Sequence, residues 1–166
     1  MSPWNQNAMM APDDIHPHED DPRSMTEWQE SAMRVWCEEL TRQLRGMRIE
    51  PHGRPYLYRY FVAGWNPLTK RAGSTMYLHH FVASDPDEEV HSHPWAWGVS
   101  LILAGGYREH RCTGDAPAVV RDYHAGDVNV FTAADLHRVE LLGPDCWSLL
   151  LVGQYQQPWG FAPACD

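Results

Sequence analysis

From residue 26 to about residue 45, apolar side chains recur at three- and four-residue steps: Trp28, Ala32, Val35, Trp36, Leu40 and Leu44. Glu27, Glu30, Arg34, Glu38 and Arg42 fill the positions between them. That period predicts one amphipathic α-helix over 26–45, with the apolar stripe laid against the rest of the protein. Ser24 or Thr26 offers an N-cap oxygen, and Gly46 offers a stop. After Gly53 the period shifts to two. Alternating runs at 56–63, 74–83, 90–103, 107–111, 118–123, 127–132, 137–142 and 147–152 read as strands. Turn signals separate them: Asn66-Pro67, Asp85-Pro86-Asp87, Gly105-Gly106, Gly114-Asp115, Gly126-Asp127 and Gly143-Pro144-Asp145. Many short strands at this spacing predict an all-β antiparallel sandwich or barrel behind one N-terminal helix. Residues 1–24 carry Pro, Asp, His and Met without periodicity and read as a flexible leader. Residues 25–166 read as one domain: the helix, a barrel over about 56–153, and a tail, 154–166, whose Pro158-Trp159-Gly160-Phe161 covers one end.

Alternation also directs the histidines. A strand points alternate side chains to one face, so His91 and His93 of His91-Ser92-His93-Pro94 aim into one space. They share phase with Val99, Leu101 and Leu103, although Pro94 interrupts the register. In the later run His137, Val139 and Leu141 form an interior face, and Arg138, Glu140 and Leu142 a wetter one. Three inward imidazoles are costly unless something satisfies their nitrogens. A divalent metal does so and keeps coordination positions open for chemistry. A second His-x-His pair, His16 and His18, lies in the leader and reads as solvated.

The net charge of −9 disfavours nucleic-acid backbones and anionic membranes as partners. No apolar stretch is long enough to span a bilayer, and the N-terminus has no basic segment followed by an apolar run. Cys37, Cys112, Cys146 and Cys165 are scattered without a CxxC, so no disulfide framework is expected and the chain reads as cytoplasmic. There is no GxGxxG or P-loop fingerprint.

The residues from 56 to 153 resemble the cupin superfamily, small double-stranded β-helix (jelly-roll) barrels. Its first motif is matched at His91-Ser92-His93 with Gly105 or Gly106 downstream, its second at Gly126-Asp127 leading to His137. The chain is also similar to a bacterial cupin group with Leu-His-x-Phe, His-x-His-Pro-Trp and Leu-Ile-Leu-x-Gly-Gly-Tyr, here Leu78 to Phe81, His91 to Trp95 and Leu101 to Tyr107. Two departures stand out. Many cupins supply a Glu four or five residues after the second His, where this chain has Trp97 and Gly98. The Pro-x-Gly of the second motif is replaced by Thr132-Ala133-Ala134-Asp135. The resemblance therefore implies a metal on His91, His93 and His137 without a carboxylate, similar to the thiol dioxygenases of the superfamily, which hold ferrous iron on three His. The cysteine that some of these crosslink to a tyrosine has no counterpart at Gly98.

Other groups complete this expected site. Arg59, in phase with Leu57 and Phe61, could clamp a substrate carboxylate. His79 could act as an acid or base, and Tyr107 as a donor. Trp95, Trp97 and Phe131 could wall the pocket. Glu109 and Asp127 read as solvated or turn residues. The expected function is oxidation of a small polar or anionic substrate by a non-haem Fe(II) oxygenase using O₂. The alternatives are a non-redox isomerase or lyase on zinc, nickel or manganese, or a ligand-binding cupin without turnover; copper also suits imidazole. Exposed edge strands and a spare helix suggest a homodimer.

Overall fold

A computed structural model describes residues 25–50, 53–64, 73–85, 89–113 and 118–163. The leader with His16 and His18 lies outside them, as does Cys165. One helix, α1 (Glu27–Thr41), precedes nine strands: β1 (Arg45–Ile49), β2 (Leu57–Ala63), β3 (Thr75–Phe81), β4 (Val90–Ser92), β5 (Trp97–Thr113), β6 (Val119–His124), β7 (Val128–Thr132), β8 (Asp135–Val152) and β9 (Phe161–Ala162). The strands form one curled antiparallel sheet in the order β1-β2-β3-β8-β4-β9, with β5 pairing β6, β7 and β8. This is the all-β barrel with one N-terminal helix that the alternation predicts.

Thr26 caps α1: its Oγ1 accepts from Gln29 N at 3.3 Å, and Gln29 Oε1 accepts from Thr26 N at 2.8 Å. The helix ends four residues before the expected position. Gly46 is not its stop; it lies in β1, a strand the sequence reading missed. A Cβ on Gly46 would come within 2.7 Å of the Tyr60 ring, so close packing explains this glycine. The buried face of α1 is also rotated from the expected stripe. Met33, Cys37, Leu40 and Leu44 pack on Leu78, Leu103, Ala104 and Trp147, whereas Trp28, Val35 and Trp36 are exposed.

Two expected turns are absent, because Gly105-Gly106 and Gly143-Pro144-Asp145 lie inside the long strands β5 and β8. The β5–β8 register shifts between Ile102 and Ala104 and again between Gly105 and Tyr107. Gly105 has φ +70, and a Cβ there would sit 2.2 Å from Asp145 O. The bulge therefore needs glycine, and it bends the strand without ending it. Arg34 reaches from the helix to the Asp145 carboxylate, and Glu30 Oε2 accepts from Gly105 N at 3.0 Å. The helix is thus tied to the bulge as well as packed on the sheet.

The cysteines depart from expectation at one position. Cys37 and Cys146 are free and buried, but Cys112 is disulfide-bonded. Sequence spacing could not reveal this, since a disulfide depends on which Cβ atoms the fold brings together. The bond also removes the cysteine argument for a reducing compartment. No described helix is long and apolar enough to cross a membrane.

Leu78 is fully buried beneath α1. Leu78→Ala is expected to destabilise the fold by about 2–5 kcal/mol. Val120→Thr, on the exposed face of β6, should stay within about 0.5 kcal/mol of the parent. Urea unfolding of the two variants checks the contrast.

Candidate metal centre

The ladder stops after Ser92, because Pro94 has no N–H to donate. His91, His93 and Trp95 are buried, and β5 then restarts in the opposite phase, with Gly98, Ser100 and Ile102 inward. Val99 and Leu101 therefore share the outer face with Trp97 and are not in phase with the histidines, contrary to expectation. His91 pairs directly with His137 across β4 and β8. The three imidazoles of His91, His93 and His137 converge, with one ring nitrogen from each lying within 4.8 Å of the others. His93 Nε2 and His137 Nε2 face each other at 2.7 Å. Ligands about 2.0–2.1 Å from a shared metal lie roughly 3–3.4 Å apart, so small ring movements suffice to seat an ion.

Glu109 fixes the orientation of His137. It is 2 % exposed, and one of its oxygens accepts from His137 Nδ1. A carboxylate only accepts, so Nδ1 carries a hydrogen and Nε2 is the atom turned toward the centre. Asn129 Nδ2 donates to the same carboxylate at 3.0 Å, and Arg111 Nη2 lies 2.8 Å from its other oxygen. Burial alone would raise the Glu109 pKa. The His137, Asn129 and Arg111 interactions outweigh it and hold the group down to about 2. The reading of Glu109 as solvated is therefore wrong. The signal was available: Tyr107 read as inward, and alternation then puts Glu109 inward too. Asp127 is the turn residue expected, accepting from His124 N at 2.9 Å.

Asp85 approaches the site from the other side. Its Oδ2 accepts from Val139 N at 2.6 Å and lies 3.8 Å from His91 Nδ1. Tyr56 also bonds to this carboxyl, whose pKa burial raises. His91 and His93 stay neutral. Burial, then the neighbouring His137, pushes His91 down to about 3, and the same causes hold His93 well below the usual histidine range. Neutral imidazole is the form that ligates a metal.

The cavity beside the histidines measures about 50 Å³. Arg59, His79, Tyr107 and Phe131 line it, together with Ser100, Ser148 and Trp159. Arg59 Nε donates to His79 Nε2 at 2.9 Å, and the guanidinium lies over the Tyr77 and Trp95 rings at 5.1 and 5.4 Å. Among the described residues Arg59 has no carboxylate partner. Burial, with the Arg59 charge, lowers the His79 pKa well below normal, so His79 stays neutral with Nδ1 as its donor. Its neighbour His80 faces the helix side, stacked on Trp147 at 3.8 Å. Tyr107 OH accepts from Asn129 Nδ2 at 2.9 Å, which joins it to the Glu109 network.

Phe131 lies 4.2 Å from the His93 ring, centroid to centroid. It can do so because residue 98 is glycine: a Cβ there would meet Phe131 Cζ at 2.2 Å. Trp95 is buried behind His93, with ring centroids 5.8 Å apart. Trp97 is not a pocket wall. The phase change at Pro94 turns it outward, where it is 39 % exposed and its indole borders Gly153.

The tail does close one end, as expected. Ser92 N donates to Gly160 O at 2.9 Å, and Gln157 Nε2 donates to His93 O at 3.2 Å and to Ala133 O at 2.9 Å. These bonds hold the Trp159 ring 5.3 Å from that of His91. Sequence reading did not single out Trp159 as part of the site.

No protein-family model and no curated protein matches the sequence. Solved structures do. The Mn(II)-containing oxalate decarboxylase of Bacillus subtilis superposes with a TM-score of 0.52 at 22% identity, over 68% of this chain and 29% of that one. The Lactobacillus farciminis oxalate decarboxylase, as its formate complex, gives 0.53 at 18% identity, over 71% and 32%. The Fe(II) form of HppE gives 0.52 at 7% identity, over 67% and 57%. The chain thus matches less than a third of either decarboxylase and just over half of HppE. At such identities the likeness speaks for the fold alone: the chain has the double-stranded β-helix barrel fold of these metal enzymes.

Proposed function

We propose that this protein is a metal-dependent cupin enzyme that binds Fe(II) on His91, His93 and His137 and oxidises a small anionic substrate with O₂. The observation that carries the reading is the convergence of three buried imidazoles with no carboxylate among them. A neutral ligand set leaves the ion its full charge, which favours an anionic chelating substrate. The donor set fits ferrous iron, which when bound would supply the redox chemistry toward dioxygen. The Fe(II) of HppE, on the same fold, supports that choice of metal.

The chain's own residues then have definite tasks. Arg59 spends its Nε on His79, so its terminal amino groups are left to bind a carboxylate in the cavity. Held neutral, His79 keeps a hydrogen on Nδ1 and can donate to the same substrate. Tyr107 keeps its proton, since burial raises its pKa strongly. Its hydroxyl accepts from Asn129 and can donate to a substrate in the cavity. Phe131, Trp95 and Trp159 exclude water, which strengthens each of these interactions. A non-redox reading, in which the metal polarises a substrate oxygen, draws support from the Mn(II) centres of oxalate decarboxylase.

Three outcomes test the reading. Anaerobically purified protein is expected to carry about one equivalent of iron by elemental analysis, and His93→Ala to lose it while keeping its far-UV circular dichroism. A full equivalent retained by His93→Ala, or no metal in the parent, defeats the site. If the parent holds manganese or zinc and turns over a carboxylate without consuming O₂, the non-redox reading replaces this one. Saturable binding without turnover would make the protein a ligand carrier.

Glu109→Gln keeps the shape but cannot accept and orient in the same way. It is expected to weaken metal binding by about 10- to 100-fold, read by competition with a chromophoric chelator.

In metal-free protein the unfolded chain takes up a proton on His91 near pH 6.5, whereas the folded chain does so only near 3. Glu109 repeats this between 4.5 and about 2. In both windows the unfolded state binds more protons, so stability falls as pH falls. The loss should be on the order of 1 kcal/mol per pH unit below 6.5, seen as a falling Tm. A Tm that does not change across that window would contradict the buried neutral state of His91.

A further inference from the structure

The sheet has an apolar outer face that α1 covers at one end only. Along β5 the outward side chains are Trp97, Val99, Leu101 and Leu103, and along β8 they include Leu149 and Leu151. The helix buries Leu103 and Leu78. Beyond its reach Trp97, Leu101, Val128 and Val130 stay 37 to 56 % exposed, with Val99 opposite Val130 and Leu101 opposite Val128. The helix adds to this surface. Trp28, Ala32 and Trp36, with Val35 beside them, form a solvent-facing stripe, and Trp28 is 77 % exposed. Between helix and sheet lies a groove of about 650 Å³ walled by Trp28, Ala32, Met33 and Trp36 on the helix side and by Leu103 and Leu149 on the sheet side. Among the described residues no charged side chain lines it.

We propose that this face is the interface of a two-fold symmetric dimer, in which the exposed Trp28 and Trp36 rings that wall the groove of each chain pack against the groove of the other. Three features select a second copy as the occupant. One patch holds both the projecting rings and the groove that can receive them, and a two-fold interface requires such self-complementarity. The groove is uncharged among the described residues in a chain of net charge −9, so two copies can meet there without placing like charges in contact. The size is also adequate. Fifteen residues make a helix about 22 Å long and about 10 Å wide, and the groove and the β5–β7 face extend it toward the roughly 800 Å² per partner of a stable interface. The dimer would also explain why the apolar stripe of the sequence is not the stripe the single chain buries. The helix has two apolar faces, one for its own sheet and one for its partner.

Sedimentation velocity of the full chain, from nanomolar to tens of micromolar, tests this. The parent should sediment at twice the chain mass. Trp28→Glu should raise the dimer dissociation constant by at least about thirtyfold, as loss of a central interface tryptophan does. Val120→Glu, an equally exposed site away from the patch, should leave the dimer intact. Circular dichroism and metal stoichiometry should match the parent in both variants. If Trp28→Glu misfolds, Trp28→Gln, which introduces no charge, must still loosen the dimer. A parent that remains monomeric overturns the proposal, whether Trp28 is then quenched freely by iodide or shielded by residues 1–24 of its own chain. A dimer unaffected by both Trp28 variants overturns it as well. None of these outcomes depends on which metal, if any, the histidines hold.

Discussion

The extra residue that β5 carries between Ile102 and Ala104, a bulge in the β5–β8 ladder, is the constraint on which the site depends. Before it, even-numbered residues of β5 face the interior: Gly98, Ser100 and Ile102. After it, odd-numbered residues do: Tyr107 and Glu109. A regular strand would keep one parity throughout. It would then turn either Ser100 or Glu109 to solvent, because each one-residue slip exchanges the faces. The bulge lets one continuous strand line the cavity along its length. Just past the bulge Gly105 lets β5 approach Asp145 O closely, and Arg34 and Glu30 hold that approach from the helix side. Helix docking and metal-site geometry are therefore coupled through one glycine and one aspartate, although the helix supplies nothing to the site.

Electrostatics divides the interior into two parts. Burial and the neighbouring His137 keep His91 and His93 neutral, and one carboxylate, Glu109, is kept ionised by the donors gathered around it. An ion arriving at the histidines finds a negative charge one imidazole away, conveyed through the Nδ1–H of His137. The opposite wall carries Arg59, whose charge has no counter-ion among the described residues. Burying a guanidinium without a carboxylate is costly, and only the His79 nitrogen and two aromatic faces offset that cost here. The arrangement makes sense if the missing anion arrives with the substrate, between the metal and Arg59.

The histidines and the barrel were legible because strand alternation is a strong signal and His-x-His uses it directly. Arg59, His79, Tyr107 and Phe131 were placed in the cavity by the same logic. What failed was parity across interruptions. A count from His93 through Pro94, where the ladder stops, puts Val99 and Leu101 on the inner face, and the structure turns them outward together with Trp97. Glu109 was left in water although its neighbour by two, Tyr107, was read inward. Gly105-Gly106 and Gly143-Pro144-Asp145 read as turns, because glycine and proline look the same in a turn and in a bulge. The distinction depends on the partner strand, which local sequence does not contain. The disulfide at Cys112 was hidden for the same reason.

The helix shows a different kind of failure. Its periodicity was read correctly, but the stripe was assigned to the wrong partner. Met33 and Cys37 face the sheet, together with Leu40 and Leu44, although neither Met33 nor Cys37 belonged to the expected stripe. The sheet under α1 is narrow there: Leu78, Leu103, Ala104 and Trp147 make the cluster, and a helix centred on them cannot also bring Trp28 and Trp36 down. Two large rings left in water on one helix exceed the scattered apolar exposure usual for a monomer, especially beside an uncovered valine and leucine face. A hydrophobic period says that a face will be covered. It does not say what the cover is, and here the geometry of the core cluster rules out the sheet on which α1 packs.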